Sequence, residues 1–473
     1  MAVAQLDELS RREPDTDAQV PGGSSRLGPA PLYPQLCPRR NGPPPGQVRS
    51  DQRARLCGAM IQAVAERGYG PLTTRELAAM AGVSTRTLYD LFAGKEECFL
   101  ETFDLVVDRA VDRIAAAYQG GHDWRGRLCD AFAAFTRELE LDRCASRLVL
   151  VEALGAGPAS LARMELANAR FEAMVSASLE QAPGDVPLAP ILSKGIVAGI
   201  ARVARMRLTD GRAGELSELA DQLLDWALCY RSPSAARLEG LPPAPLVERT
   251  VGVAEAGALE TGPGVREDTR ARILRAALEL AVREGCEQVT LEAIASHAGV
   301  SRRVFVQQFD DPQACFLAAF ELMGEQALAL ASEAGLQGSD WPGGVYRAVA
   351  ALTEHIARDE AFARMAFVEI FALGPAGLPS RERLMERLAG TMTAAAATRS
   401  SRRRAPSELA LQASAGAVWG VVHHHVAHDS ARRLPALAGH MAYMLLAPLL
   451  GPEKAVRAIL AEHARMRAGD RKA

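Results

Sequence analysis

Residues 84–92, Ser-Thr-Arg-Thr-Leu-Tyr-Asp-Leu-Phe, place hydroxyls, a guanidinium and a phenol on successive turns of a stretch with little to bury. Ser84 is a helix-capping type. The spacing therefore predicts a helix over 85–92 that buries Leu88, with Leu91 or Phe92, and turns Thr85, Arg86, Thr87, Tyr89 and Asp90 outward. The elements that must position it are legible just upstream. Ser50 or Asp51 can cap a helix running to about Arg67, with Leu56, Met60, Ile61 and Val64 on one face and Gly68 as its stop. Thr73 and Glu76 have capping-box spacing and open a second, short helix that buries Leu77, Ala78 and Ala81 and ends at Gly82. Helix, short helix, tight glycine turn and polar-faced helix together form the layout of a helix-turn-helix reader of duplex DNA.

The chain writes this pattern twice. Residues 48–60, VRSDQRARLCGAM, return as 265–277, VREDTRARILRAA, at a shift of 217, the distance from Val48 to Val265. The same shift carries Gly82-Val83-Ser84 onto Gly299-Val300-Ser301, Phe92 onto Phe309, Cys98-Phe99-Leu100 onto Cys315-Phe316-Leu317, and Asp123-Trp124 onto Asp340-Trp341. Solenoid units run only ~20–50 residues, so this period implies two fused copies of a whole domain-sized protein.

LTTRELAAMAGVSTRTLYDLFAGKEECFL (72–100) resembles the DNA-binding domain of the tetracycline-repressor (TetR/AcrR) family, and VTLEAIASHAGVSRRVFVQQFDDPQACFL (289–317) resembles it too. The resemblance implies a dimeric, ligand-responsive regulator, expected to be a repressor. It would have an N-terminal reader on a larger helical domain that binds a small molecule and dimerises through its last two helices. It also implies a duplex operator as partner and assigns DNA contact to Thr73, Thr74 and Arg75 at the second helix, and to Ser84, Thr85, Arg86 and Thr87 at the third. Tyr89 and Lys95 match the family's phosphate clamps. Physically, a helix N-terminus favours phosphate, a phenol donates to a phosphate oxygen, and Arg86 can hold guanine in a bidentate contact worth ~1–3 kcal/mol of discrimination. In the second copy Thr290, Ser301, Arg302, Arg303, Gln307 and Gln308 remain able to read a groove. There Tyr89 is replaced by Val306, Lys95 by Pro312, Thr74 by Leu291 and Arg75 by Glu292, and Asp310 and Asp311 add negative charge. Two arrangements are open: an intramolecular pseudo-dimer whose halves read unequal half-sites, or one working reader beside a copy kept for sensing or protein interaction.

Behind each reader, apolar residues recur at helical spacing. Phe362, Phe367, Phe371, Trp419, Met441 and Tyr443 make the second copy the more aromatic at these depths. They are core by default, and an apolar small-molecule pocket is the sharper reading, with Phe367, Phe371, Trp419, His424 and His428 as its candidate lining. His424 and His428 have the i, i+4 spacing that metal sites use, but no carboxylate or cysteine is placed with them, so no metal site and no cofactor is expected. Arg399–Arg404 reads as a solvated loop. GELSELADQLLDWALCY (214–230) and RRLPALAGHMAYMLLAPLL (432–450) close the copies with amphipathic helices suited to a dimer interface.

Composition sets the frame. The chain has 473 residues, a net charge of −3, 5% aromatics and few β-branched alternating runs, so the expectation is an all-α protein with local rather than global basic character. Its eight cysteines form no CxxC pair, which argues against a disulfide framework or zinc site. No Gly-rich phosphate loop, GxSxG elbow or HExxH occurs, so no enzyme is expected. There is no signal peptide, and charged residues interrupt the apolar runs before the ~18–20 residues of a membrane span, so a soluble, cytoplasmic protein with no membrane partner is expected. The Pro/Gly-rich stretches 1–47 and 232–264 are expected to be a disordered arm and a linker, a coil of the latter length spanning on the order of 30 Å. Between and after them lie a first reader (48–100), a first regulatory domain (101–231), a divergent second reader (265–317) and a second regulatory domain (318–467).

Overall fold

The computed structural model describes residues 45–121, 123–181, 188–244, 269–397 and 407–470; among them every element is helical and there is no strand. The first copy contains α1 (Pro45–Arg67), α2 (Thr74–Met80), α3 (Thr85–Leu91), α4 (Lys95–Gly120), α5 (Trp124–Leu141), α6 (Arg143–Leu150), α7 (Pro158–Glu180), α8 (Pro190–Thr209) and α9 (Ala220–Leu228). The second contains α10 (Thr269–Glu284), α11 (Leu291–His297), α12 (Arg302–Gln308), α13 (Pro312–Leu336), α14 (Trp341–Arg358), α15 (Glu360–Arg364), α16 (Ile370–Ala372), α17 (Gly377–Ala397), α18 (Glu408–Ala427), α19 (Leu434–Leu450) and α20 (Pro452–Asp470).

Several expected boundaries move, each for a local reason. α1 begins at Pro45 rather than behind Ser50 or Asp51. Proline suits a first helical turn, and Arg49 fastens this early turn by donating to the Asp90 carbonyl at 2.8 Å. Residues 1–44, 245–264 and the Arg399–Arg404 run lie outside the described residues. The start of the expected linker is folded: Pro233–Leu238 forms a 3-10 helix, Leu238 is fully buried, and the Ser232 hydroxyl donates to Glu453 at 3.0 Å. Residues 214–230 are not one helix, since short 3-10 turns at Ala213–Glu215 and Ser217–Leu219 precede α9. Beyond the 432–450 stretch, Gly451, at φ +81°, turns the chain into α20.

The compact units divide inside helices rather than at the linker. The first unit holds residues up to Pro183 together with Ala204–Leu224, and the second holds Gly184–Val203 with everything from Asp225 onward. In the first unit α1–α4 and α6 share one core, in which Leu56, Met60, Leu77, Leu88, Phe99 and Leu148 are buried. α4 runs unbroken across the expected reader boundary at residue 100, which ties the reader stiffly to the helices behind it.

In the second unit, the first part of α8 crosses α18, its counterpart at the 217-residue shift. Glycines make the approach possible. A Cβ on Gly199 would sit 2.5 Å from both the Ala413 carbonyl oxygen and the Trp226 ring, and one on Gly416 would sit 2.7 Å from Arg202 Cβ. Polar groups then fix the crossing: Trp226 Nε1 donates to Ser414 Oγ at 3.2 Å, Tyr230 Oη to the Met444 carbonyl at 2.8 Å, and Tyr443 Oη to the Tyr230 carbonyl at 3.2 Å. Arg202, 1% exposed, pairs with Glu382 at 3.0 Å and donates to the Gln412 carbonyl at 2.8 Å. Arg381 takes the other Glu382 oxygen at 2.6 Å, so one carboxylate serves two buried guanidinium groups.

By length and composition α13 is long and apolar enough to cross a membrane. It nevertheless carries Glu321 and Glu325, both ion-paired to α17 arginines, and packs Phe316, Phe320 and Met323 into the core of the second unit.

Candidate nucleic-acid interface and effector cavity

The first reader owes its shape to local chemistry. Thr73 caps α2 by accepting from the Glu76 N–H at 3.2 Å, and Glu76 answers by accepting from the Thr73 N–H at 3.0 Å. The Thr73 hydroxyl and N–H, both donating to the Glu76 carboxylate, are the main cause of its lowered pKa. Gly82, at φ +62°, makes the turn, and Ser84 caps α3 by accepting from the Thr87 N–H at 3.0 Å. Leu88 and Leu91 anchor the helix inward, leaving Thr85, Arg86 and Tyr89 exposed, the last at 57%. Arg75 is exposed beside them at the start of α2. Neither Arg75 nor Arg86 makes a hydrogen bond or ion pair among the described residues.

Two arginines that the sequence did not single out hold this frame. Arg55 donates to the Ala81 and Gly82 carbonyls at 3.0 and 3.4 Å, so α1 grips the turn itself. Arg53 lies over the Phe92 ring at 4.6 Å, donates to the Leu91 carbonyl at 3.2 Å and pairs with Glu101. Hydrogen bonds from charged donors contribute ~1.5–3 kcal/mol, enough to fix α3 against α1. The signal was their recurrence at the same shift. In the second copy Arg272 donates to the Ala298 and Gly299 carbonyls at 2.5 and 3.0 Å, while Arg270 lies 4.3 Å over Phe309 and donates to the Gln308 carbonyl at 3.1 Å. Thr290 and Ser301 cap α11 and α12 as their counterparts do, and Gly299 turns at φ +65°.

The second reader thus keeps the frame with a different surface. Arg302 pairs with Glu292 at 3.3 Å, both largely exposed, which partly neutralises the face. Arg303, Gln307 and Gln308 are exposed, as is Val306, at 50%, where the first reader has Tyr89.

Lys95, a candidate phosphate clamp, instead has its ammonium on the reader's own loop. It donates to the Tyr69 and Gly70 carbonyls at 3.0 and 3.3 Å and lies 4.2 Å over the Tyr69 ring, and partial burial lowers its pKa. Tyr69 in turn packs on Phe99 at 4.6 Å, and burial pushes its phenol up to about 12. The equivalents of Tyr69, Lys95 and Phe99 are Cys286, Pro312 and Phe316, and these three line an open recess of about 250 Å³.

A buried carboxylate joins each reader to the helices behind it. In the first unit Glu152, 8% exposed, accepts from the Tyr69 N–H at 3.2 Å and pairs with Arg147 at 3.2 Å. In the second, Glu369, 5% exposed, accepts from the Cys286 N–H at 2.9 Å and pairs with Arg364 at 3.4 Å. The loops begin at Gly68 and Gly285, with φ of +78° and +80°, where a side chain is strained.

The second unit also contains an apolar cavity of about 500 Å³ between α13, α14, α17, α18 and α19. Of the residues suspected from sequence, Phe362, Phe367, Trp419 and Met441 line it. Phe371, Tyr443, His424 and His428 do not. Phe371 packs against His423 and Arg381, Tyr443 packs edge-on against Tyr230, and His424 and His428 pack on each other with ring centroids 4.4 Å apart. Leu352, Val422 and Leu445 add to a mainly aliphatic and aromatic lining in which Ser332, Asp340 and Thr353 are the polar members, as small-molecule sites commonly have.

Two stretches of the chain, residues 59–102 and 273–319, match the family described as bacterial regulatory proteins, tetR family. The HTH-type transcriptional activator FasR of Mycolicibacterium smegmatis is 30% identical over 168 residues, which cover 35% of this chain and 75% of that protein. Among solved structures, the fatty acid degradation regulator FadR from Bacillus halodurans aligns at 18% identity and a TM-score of 0.35, over 37% of this chain and 96% of that one. The transcriptional regulator FadR from Bacillus subtilis, solved in complex with stearoyl-CoA, aligns at 15% identity and a TM-score of 0.32, over the same shares.

Proposed function

Because the chain belongs to the tetR family of bacterial regulatory proteins and carries the family's DNA-binding element twice, we propose that it is a cytoplasmic regulator that reads its operator through the first reader. The supporting observation is the exposed face of Arg75, Thr85, Arg86 and Tyr89, unpaired at both arginines and held on a frame fixed by Arg53 and Arg55. Lys95 acts here by positioning the loop behind α2 and not as a phosphate contact.

The 500 Å³ cavity is the effector site, suited to an apolar molecule. Such a molecule changes DNA affinity only through different affinities for two states, and a shift from 1:99 to 99:1 takes ~5.5 kcal/mol. The glycine crossing of α8 and α18 supports an intramolecular pseudo-dimer, since it joins the equivalent helices of the two copies within one chain. A reader seated over a promoter represses by exclusion, whereas the M. smegmatis relative is named an activator. A reporter driven by the chain's own upstream DNA assigns the sign: lowered output in the presence of the chain supports repression, and raised output refutes it.

The deciding experiment measures the mass of the complex on that upstream DNA while footprinting it. One chain on two unequal half-sites supports the pseudo-dimer with both readers engaged. Two chains on a symmetric palindrome refute it and favour the second reading, in which first readers pair across chains and second copies serve sensing. The Arg302–Glu292 pair and the exposed Val306 favour that alternative. If the second reader is silent, Val306→Tyr adds non-specific affinity without steepening the salt dependence, since a phenol donates to phosphate but neutralises none.

A further inference from the structure

The two copies differ in helical register at one functional place. After α15 the chain widens into a single π turn, Met365–Glu369, before α16. The equivalent stretch of the first copy ends α6 at Leu150 and enters a 3-10 helix at Glu152. Single π turns inside helices occur frequently at functional sites.

This turn has two working ends. Ala366 and Phe367 line the apolar cavity, where the Phe367 ring lies 4.5 Å from Trp419 and its carbonyl oxygen lies 2.6 Å from His423 Nδ1. Two residues on, Glu369 holds the Cys286 N–H at 2.9 Å, at the loop that begins at Gly285. The 250 Å³ recess beside Cys286 gives that loop space to shift, space that Tyr69 and Lys95 fill in the first copy. An α-helix turns about 100° per residue, so a π turn that relaxes by one residue to α register swings Glu369 away from the loop.

We propose that the π turn Met365–Glu369 reports occupancy of the cavity to the second reader: a ligand that displaces Phe367 relaxes the turn and withdraws Glu369 from the Cys286 N–H. Glu369 is then a positioning residue, and the inference rests on the cavity being the effector site. Because such coupling is reciprocal, weakening the Glu369 bond must alter the affinity of the cavity for its ligand.

The test uses the full chain and Nile red, a neutral apolar dye. Dye binding is followed by fluorescence, and amide hydrogen exchange is followed by mass spectrometry. The expected result has three parts. The dye protects peptides of α14 and α18. It speeds exchange at the Cys286 amide by at least about fivefold, and its Kd changes by at least about fivefold in Glu369→Gln but not in Glu152→Gln. Protection of the cavity with unchanged exchange at Cys286 and a Kd in Glu369→Gln within about twofold of wild type overturns the proposal and leaves the effector site standing. Failure to protect α14 and α18 overturns the effector-site reading and this proposal together. A merely structural Glu369 lowers Cys286 protection in Glu369→Gln without moving the dye's Kd, and that outcome also overturns the coupling.

Discussion

Gly199→Ala is the sharpest test of the α8–α18 crossing. The new methyl would meet the Ala413 carbonyl oxygen and the Trp226 ring, each at 2.5 Å, where neither backbone nor indole can swing aside. Relief requires the helices to part by most of an ångström, and overpacking of this kind costs ~1–3 kcal/mol. Replacing a helical glycine by alanine returns ~1 kcal/mol of helix propensity, so overpacking alone leaves a net loss of ~0–2 kcal/mol, to which the lost Trp226–Ser414 hydrogen bond adds ~0.5–1.5 kcal/mol. Gly390→Ala, on α17, is the control: a Cβ there meets nothing within 4 Å, so the propensity term acts alone and stability rises by ~1 kcal/mol. Urea unfolding followed by tryptophan fluorescence reads both variants, since Trp226 lies at the crossing. Opposite signs are expected. A Gly199→Ala variant as stable as wild type, beside a stabilised Gly390→Ala, would refute the close approach of α8 and α18.

Three further outcomes are expected at the site and its surroundings. Arg86→Ala loses ~1–3 kcal/mol of operator affinity and relaxes sequence preference, whereas Tyr89→Phe lowers affinity evenly across sequences with the salt slope unchanged, because a phenol neutralises no phosphate; mobility shifts on a panel of operator variants over a salt series separate the two. Lys95→Met lowers first-reader stability by ~1–2 kcal/mol through two lost carbonyl bonds but leaves the salt slope intact, and a slope lowered by a full unit would restore Lys95 as a phosphate contact. His425 has its pKa lowered to about 4, chiefly by burial and then by the positive charges of His424, Arg433, Lys194 and His428. It is neutral in both states above its ordinary value of 6.5, so it makes no difference there; between 6.5 and about 4 the unfolded chain takes up a proton that the folded chain refuses, and stability falls as pH falls. The wild-type urea midpoint should fall relative to that of His425→Gln as pH drops through that window, and a gap that does not change with pH would count against the assignment.

What was legible in the sequence was what short-range chemistry decides. Thr73, Glu76, Gly82 and Ser84 specify caps and a turn within a dozen residues, so α2 and α3 fall where the spacing puts them. The pocket was half legible. Phe362, Phe367, Trp419 and Met441 are large and apolar, but periodicity fixes a face only up to rotation of the helix, and the π turn shifts that rotation just before Phe371. Arg53 and Arg55 drew no expectation because they hold the frame through carbonyls, which carry no sequence signature. Glu152 and Glu369 were invisible for a further reason: each binds a backbone N–H 83 residues away in the chain. The division of the chain inside α8 and α9 is a matter of tertiary packing alone.

The differences between the copies have a physical pattern. The second reader keeps most of the groups that shape it, Arg270, Arg272, Thr290, Gly299 and Ser301, and the carboxylate that ties it to the cavity wall, while Ala293 and Ala318 stand where the first reader has Glu76 and Glu101. It departs at the outward face and at the joint, where Val306, Pro312 and Cys286 stand for a phenol, an ammonium and an aromatic ring. A copy retained only as packing has no need of a capped, glycine-turned helix pair presenting exposed side chains. A copy retained only as a DNA reader gains nothing from a hollowed joint, because the lost carbonyl bonds and cation–π contact contribute on the order of 1–3 kcal/mol to holding the loop. On the coupling proposed above, a shaped reader on a recessed joint, beside a cavity wall that bonds directly to it, would be the two-state element, with a small free-energy gap that a ligand of moderate affinity can cross.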